Sequence, residues 1–250
     1  MSNSTPNSAK DSATNPSKDS KRVNRNELQL FTELPIKVDV GPSPISFYVH
    51  ERLLRDASRF FDAAMRGGWK ESTERVVLLP VDDPEVFNLF VGWLYNRKFP
   101  TKNDVGSAEG NEEYMLLAKL YVLGEKLQAT AFKTAVIGAI LGKAKTKVQP
   151  GGHSVYPAGS VVRYLYENTP PKSPVRRLLV DFYVWYGQGS WLARDATDAG
   201  ESNEFLVDLA VALLDGRHPP SGSSNPINLA KSGRYCEREE TPWENGAAGR

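Results

Sequence analysis

Phe47-Tyr48-Val49-His50, Leu53-Leu54, Ser58-Arg59-Phe60-Phe61, Gly67-Gly68-Trp69-Lys70-Glu71-Ser72, Val76-Val77-Leu78-Leu79 and Asp82-Asp83-Pro84-Glu85-Val86-Phe87 follow one another between Phe47 and Tyr95. Their order decides the fold. Ile45, Phe47 and Val49 alternate with polar neighbours at period 2, the mark of a strand with one covered face. From His50 the period lengthens toward 3.6, and Leu53 with Leu54 marks a short helix that stops near Ala57. Ser58 is a good N-cap for a second short helix carrying Phe60, Phe61, Ala64 and Met65, and Gly67-Gly68 ends it. After a polar connection from Lys70 to Arg75, the unbroken apolar run Val76 to Leu79, stopped by Pro80, reads as a strand buried on both faces. Asp83-Pro84-Glu85 then starts a helix: an Asp cap, Pro where its missing N–H costs nothing, and an acidic residue at the positive end of the dipole. Val86, Phe87, Phe90, Val91 and Leu94 make its buried face.

Upstream, Ile36, Val38 and Val40 alternate with Lys37 and Asp39, and Gly41-Pro42-Ser43-Pro44 turns the chain into Ile45. The pair forms a β-hairpin with Lys37, Asp39 and Ser46 facing outward. Downstream, a helix from Glu112 to Leu127 carries two apolar stripes. One is Tyr114, Leu117, Ala118 and Tyr121; the other is Leu116, Leu120, Leu123 and Leu127. Glu112, Glu113, Lys119, Glu125 and Lys126 are left for water, so the helix belongs between two layers. Phe132, Ala135, Val136, Ala139 and Ile140 continue at helical spacing after a break at Gln128-Ala129-Thr130. Lys143 to Gly152 is a basic, Gly- and Pro-containing linker. Helical patterns then recur at Val161–Glu167, Val175–Tyr186, Trp191–Ala196 and Phe205–Leu214, with no strand signal among them. The fold class is α+β followed by an all-α extension.

The composition narrows the class of function. Residues 1–26 and 216–250 hold too little apolar surface to offset chain entropy and read as disordered tails. The formal charge of +1 over 250 residues argues against a nucleic-acid-binding domain. Lys10, Lys18, Lys21, Arg22 and Arg25 outnumber Asp11 and Asp19 near the start, which fits a solvated tail or a short targeting or nucleic-acid arm. One cysteine, Cys236, leaves no internal disulfide and no Cys-based zinc cluster, which points to a reducing intracellular compartment, nucleus or cytoplasm. No apolar run reaches the ~18 residues of a membrane span. Catalysis has no constellation behind it: His50 has only Glu51 beside it, and His153 and His218 have no ligand-spaced partners. Gly67-Gly68 is not a phosphate loop, because the Lys-Ser/Thr that completes one is absent. No cofactor or metal is expected.

The marks quoted above, together with Trp93-Leu94-Tyr95, resemble the BTB/POZ domain, especially the small stand-alone BTB proteins of fungi. The likeness covers about residues 30 to 142, with a weaker one to the helical extension of those proteins over 155–215. The domain extents that follow are 27–142 for the BTB/POZ domain, 143–154 for a linker and 155–215 for the extension. The resemblance implies a small mixed sheet with surrounding helices and a non-enzymatic protein–protein interaction module. The chain departs from the family at Pro35, where an acidic residue is usual, and at Asn96-Arg97, where a small Thr-Gly pair commonly follows the tyrosine.

The same resemblance nominates surfaces. Many BTB domains are substrate adaptors that hold a recruited protein on the cullin scaffold of a ubiquitin ligase, through a large apolar residue, any residue, then Glu. Trp69, Lys70 and Glu71 match that pattern residue by residue. An exposed aromatic anchor with a carboxylate nearby suits a groove; the competing reading folds Trp69 back on its own domain. The family also pairs through an N-terminal segment and the first short helix, which nominates Leu28, Phe31, Leu34, Leu53 and Leu54 as contacts of a homodimer. The alternative function is a dimerising, transcription-associated regulator that recruits partners, although no attached DNA-binding pattern accompanies it. No nucleic-acid or membrane partner is expected.

Overall fold

The computed structural model describes residues 34–102, 107–147, 154–157, 159–195 and 202–217. The elements run β1 (Pro35–Val40), β2 (Ile45–His50), α1 (Glu51–Ala57), α2 (Arg59–Met65), α3 (Lys70–Glu74), β3 (Val76–Leu79), α4 (Pro84–Asn96), α5 (Ser107–Lys126), α6 (Thr130–Lys145), α7 (Gly159–Asn168), α8 (Pro174–Tyr186), α9 (Gly189–Asp195) and α10 (Asn203–Gly216). A small mixed sheet with helices is followed by helices alone, as the periodicities require. The chain separates into two compact units, one ending at Tyr95 and one beginning at Asn96. That division falls inside the 27–142 span read from the sequence as one domain.

In the first unit the sheet order is β2-β1-β3. β1 and β2 are antiparallel, with Ile36 opposite Val49 and Val38 opposite Phe47. β3 runs parallel to β1, with Val38 opposite Val77 and Val40 opposite Leu79. A parallel neighbour requires the chain to travel back before pairing, and α1, α2 and α3 make that return. Gly41 takes φ +93° at the hairpin, which favours glycine, and its N–H donates to the Leu79 carbonyl at 2.9 Å, extending the ladder. Ile36, Val38, Val40, Val49, Val77 and Leu79 are buried. Phe87 of α4 ties them to the helices, its ring 5.1 Å from Phe47 and 6.4 Å from Phe61 of α2.

Three expectations change here. β3 is not buried on both faces: Leu78 is 63% exposed, because it lies opposite Asp39 on the outer face of the sheet, and only the other face is covered. Ile45 is exposed too, at 53%, although Val40 opposite it is buried. On α4 Trp93 takes the buried place expected for Val91, which is only half-buried. The capping signals hold. The Phe61 N–H donates to Ser58 Oγ at 3.2 Å, and the Glu85 N–H to Asp83 Oδ1 at 2.9 Å.

In the second unit α5 packs against both α6 and α7, so its two apolar stripes each find a helix. Tyr114, Leu117, Ala118, Tyr121, Leu120, Leu123 and Leu127 are buried. Gln128, at φ +52°, makes the break before α6. α7, α8 and α10 pack on one another, with Phe205 of α10 edge-on to Tyr166 and Tyr183 at 5.5 and 4.8 Å. Two residues move from the places expected of them. Glu113, expected in water, is buried, and Lys143, expected in a linker, lies in the last turn of α6. They form an ion pair at 2.6 Å, and burial of each charge is tolerable because the other is present. Among the described residues beyond Tyr95 the only β pairing is the isolated bridge between Lys147 and Ser154.

Candidate partner-binding site

Trp69, Lys70 and Glu71 lie where the chain leaves the Gly67 turn and starts α3. The expected loop is therefore a short helix, Lys70–Glu74, with Trp69 as its capping residue. Gly67 supplies the turn at φ +80°. Ser72 Oγ lies 2.6 Å from the Gly67 carbonyl and 2.8 Å from that of Trp69, while the Thr73 N–H donates to the Trp69 carbonyl at 3.2 Å. These bonds hold the Trp69 backbone and leave its indole outside. Trp69 is 67% exposed, so it does not fold back on the unit. Glu71 is half-buried beside it, and Lys70 leans toward Glu74 at 3.8 Å.

The C-terminal end of α3 is anchored more firmly. Arg75 ends the helix at φ +55°, a conformation that costs a non-glycine residue about 1–2 kcal/mol. Its side chain and backbone offset that cost. Nη1 donates to Glu51 Oε2 at 3.0 Å, Nη2 to the Leu34 carbonyl at 2.7 Å, and the Arg75 carbonyl accepts from the Lys37 N–H at 3.0 Å. Glu51 also accepts from Arg55 Nη1 at 3.0 Å, Arg55 Nε reaches Asp62 at 3.1 Å, and Arg66 pairs with Asp62 at 2.8 Å. Burial pushes the Asp62 carboxyl up, but the Arg55 hydrogen bond and the Arg66 charge outweigh it and hold its pKa below the usual carboxylate range. A cleft of about 420 Å³ opens over these charges, lined with Arg52 and Asp56 as well. Its acids and bases are paired with one another, so it offers α3 a rigid base rather than a ligand site.

The remaining nominated residues are scattered. Leu34 is 75% exposed at the start of β1, whereas Leu53 and Leu54 are buried within their own unit. Leu28 and Phe31 lie outside the described residues, as do His153, His218 and Cys236. His50 bonds the Tyr95 hydroxyl through Nδ1 at 2.7 Å, joining the end of β2 to α4. Tyr48 and Leu78, which no motif nominates, are 66% and 63% exposed. By register they share the outer sheet face with Lys37 and Asp39. A sheet covered on one face exposes Leu78 by simple alternation. Among the described residues no cluster of His, Cys, Asp and Glu is suited to a metal ion, and no helix is long and apolar enough to cross a membrane.

No protein-family model and no curated protein matches the chain. Among solved structures it is similar to the BTB domain of zebrafish PATZ1, at 15% sequence identity and a TM-score of 0.33, over 44% of this chain and 76% of that one. A likeness that shallow leaves the functional reading to the residues themselves.

Proposed function

We propose that the chain is a non-enzymatic protein–protein interaction module of the BTB/POZ type, acting inside the cell as a substrate adaptor for a cullin-based ubiquitin ligase. The observation that carries this reading is the exposure of Trp69 at the start of α3. A large aromatic side chain presented to water offers a partner a sizeable apolar area to bury. Its neighbour Glu71 supplies a carboxylate that can orient a partner's donor, and the Arg75–Glu51 anchor fixes the ridge in advance, which lowers the entropy lost on binding. Aromatic anchors of this kind carry a disproportionate share of interface energy.

The test is co-purification of a cullin with the full chain. The double variant Trp69→Ala with Glu71→Ala should lose the cullin while circular dichroism and melting temperature stay unchanged. Undiminished binding by that variant would move the contact elsewhere on the surface. Recovery of no cullin with the unaltered chain would remove the adaptor role altogether.

A further inference from the structure

The sequence of α10, Asn203-Glu204-Phe205-Leu206-Val207-Asp208-Leu209-Ala210-Val211-Ala212-Leu213-Leu214-Asp215-Gly216, is apolar on nearly every side. It buries only Phe205 and Leu209 among its large apolar residues, while Val207 and Val211 are 61 and 52% exposed. These two sit one helical turn apart and line a groove of about 1000 Å³ between α10 and α8, to which α8 contributes Val180. The charges around that apolar strip are unequal. Asp181, Asp208 and Asp215 outnumber Lys172 and Arg177, while Arg176 and Glu204 neutralise each other at 2.5 Å. The Tyr166 hydroxyl donates to Asp208 Oδ2 at 2.9 Å and fixes that carboxylate in place. A concave site with an apolar floor and an acidic balance takes a slim, basic segment of chain rather than a flat face.

The chain that follows α10 contains such a segment, in residues 218–250, which lie outside the described residues. Asp215 lines the groove from the last turn of α10, so the chain continues from the groove's own end. The stretch from Gly216 to Ile227 reaches up to about 36 Å when extended, against about 21 Å for the whole of α10. In Asn225-Pro226-Ile227-Asn228-Leu229 the two aliphatic residues alternate with Asn228, and Pro226 fixes its own φ and biases Asn225 toward an extended backbone. Residues two apart on an extended chain stand about 6.6 Å apart, which matches the rise of about 6 Å between Val207 and Val211. Beyond Leu229 the segment carries Lys231, Arg234 and Arg238 against Glu237, opposite in balance to the groove.

We propose that residues 226–238 dock as an extended segment in the α8–α10 groove of the same molecule, with Ile227 and Leu229 on Val207 and Val211 and with Lys231 and Arg234 toward Asp181, Asp208 and Asp215. Such a segment has too little apolar surface to build a core, but a surface already built asks it to bury only two aliphatic side chains. Tethering decides the occupant. A segment joined to the end of α10 is presented to the groove at an effective concentration in the millimolar range, ahead of a free partner of equal affinity. Neither the groove nor the segment involves Trp69.

Trypsin acting on the full chain reads the docking, because Lys231 and Arg234 are themselves its cleavage sites. The fragments are followed by mass spectrometry, with cleavage after Lys18 and Lys21 as the internal reference. Val207→Asp with Val211→Asp leaves the cleaved segment unaltered, and should speed cleavage after Lys231 and Arg234 roughly tenfold, since cleavage tracks the open population. Ile227→Ser with Leu229→Ser leaves every described residue unaltered and should do the same, so a damaged α10 cannot mimic the result. Asp215→Lys should speed it about threefold, as removal of an exposed charge pair does. Equal rates in the parent and both double variants would overturn the proposal, as would protection that survives the Val207/Val211 change. Protection that deepens with protein concentration would give the groove to the segment of another molecule, and overturns it equally.

Discussion

The unit ending at Tyr95 and the unit beginning at Asn96 place their ionised side chains in different settings. In the first, Glu51, Arg55, Asp62, Arg66 and Arg75 form a chain of pairs along the surface of α1, α2 and the end of α3, each still partly in water. In the second, Glu113 and Lys143 meet with side chains 7% and 8% exposed, and the Arg176 side chain is 6% exposed. Surface pairs are screened and individually weak, so their effect is to set the shape of a ridge such as α3. Buried pairs contribute little net stability while intact and cost a great deal when halved. The second unit is thus the one in which a single charge substitution should be felt.

Lys143→Met is the sharpest way to break that contrast. It leaves the Glu113 carboxylate buried without its cation, and should lower the stability of the full chain by about 3–5 kcal/mol in urea unfolding. Adding Glu113→Gln should recover much of the loss, because the stranded charge is what costs. A Lys143→Met loss below about 1 kcal/mol would show that the pair behaves like a surface one.

Arg176→Met should come next, at about 2–3 kcal/mol. Its guanidinium closes the end of α7, donating to the carbonyls of Tyr166 and Thr169, to Thr169 Oγ1 and to Glu204, and lies 4.4 Å from the Tyr166 ring. Carbonyls at a helix end need a donor when water is excluded. The cost is smaller than at Lys143 because the Glu204 side chain is 65% exposed and stays hydrated when Arg176 is gone. Equal losses at the two sites would mean that Glu204 is buried in solution.

Neither pair was legible in the sequence, and the reason is distance along the chain. Asp83-Pro84-Glu85 and Ser58 announce their helices because the donor and acceptor of a cap lie within three residues of each other. Glu113 and Lys143 are 30 positions apart on different helices, so each looked solvent-facing or linker-like when read locally. Arg176 sat in the helical run Val175–Tyr186 without any sign that its side chain turns inward. The error at Leu78 has another source: an unbroken apolar run has no phase, so one covered face and two look alike. Trp69, by contrast, was placed by pattern, but its exposure depended on Ser72 and Thr73 holding the turn. On α10 the apolar residues were visible from the start, while the open side of the helix was not.

The smallest effect sharpens the contrast from the first unit. Arg55→Met removes the hinge of the surface chain, the side chain that bonds both Glu51 and Asp62. It should cost at most about 1 kcal/mol at low salt and still less at high salt, where screening has already weakened the pairs. Its signature should appear with pH. Burial pushes the Asp62 carboxyl up, but the Arg55 hydrogen bond and the Arg66 charge outweigh it, so Asp62 titrates below its unfolded value. A depressed carboxylate contributes stability above its unfolded pKa and loses it as pH falls through the folded one. Without Arg55 the folded value moves back toward the unfolded value, so the variant should differ from the parent at neutral pH and converge with it in acid. A difference that persists below both values would mean that Arg55 acts by packing its stem rather than through its charge.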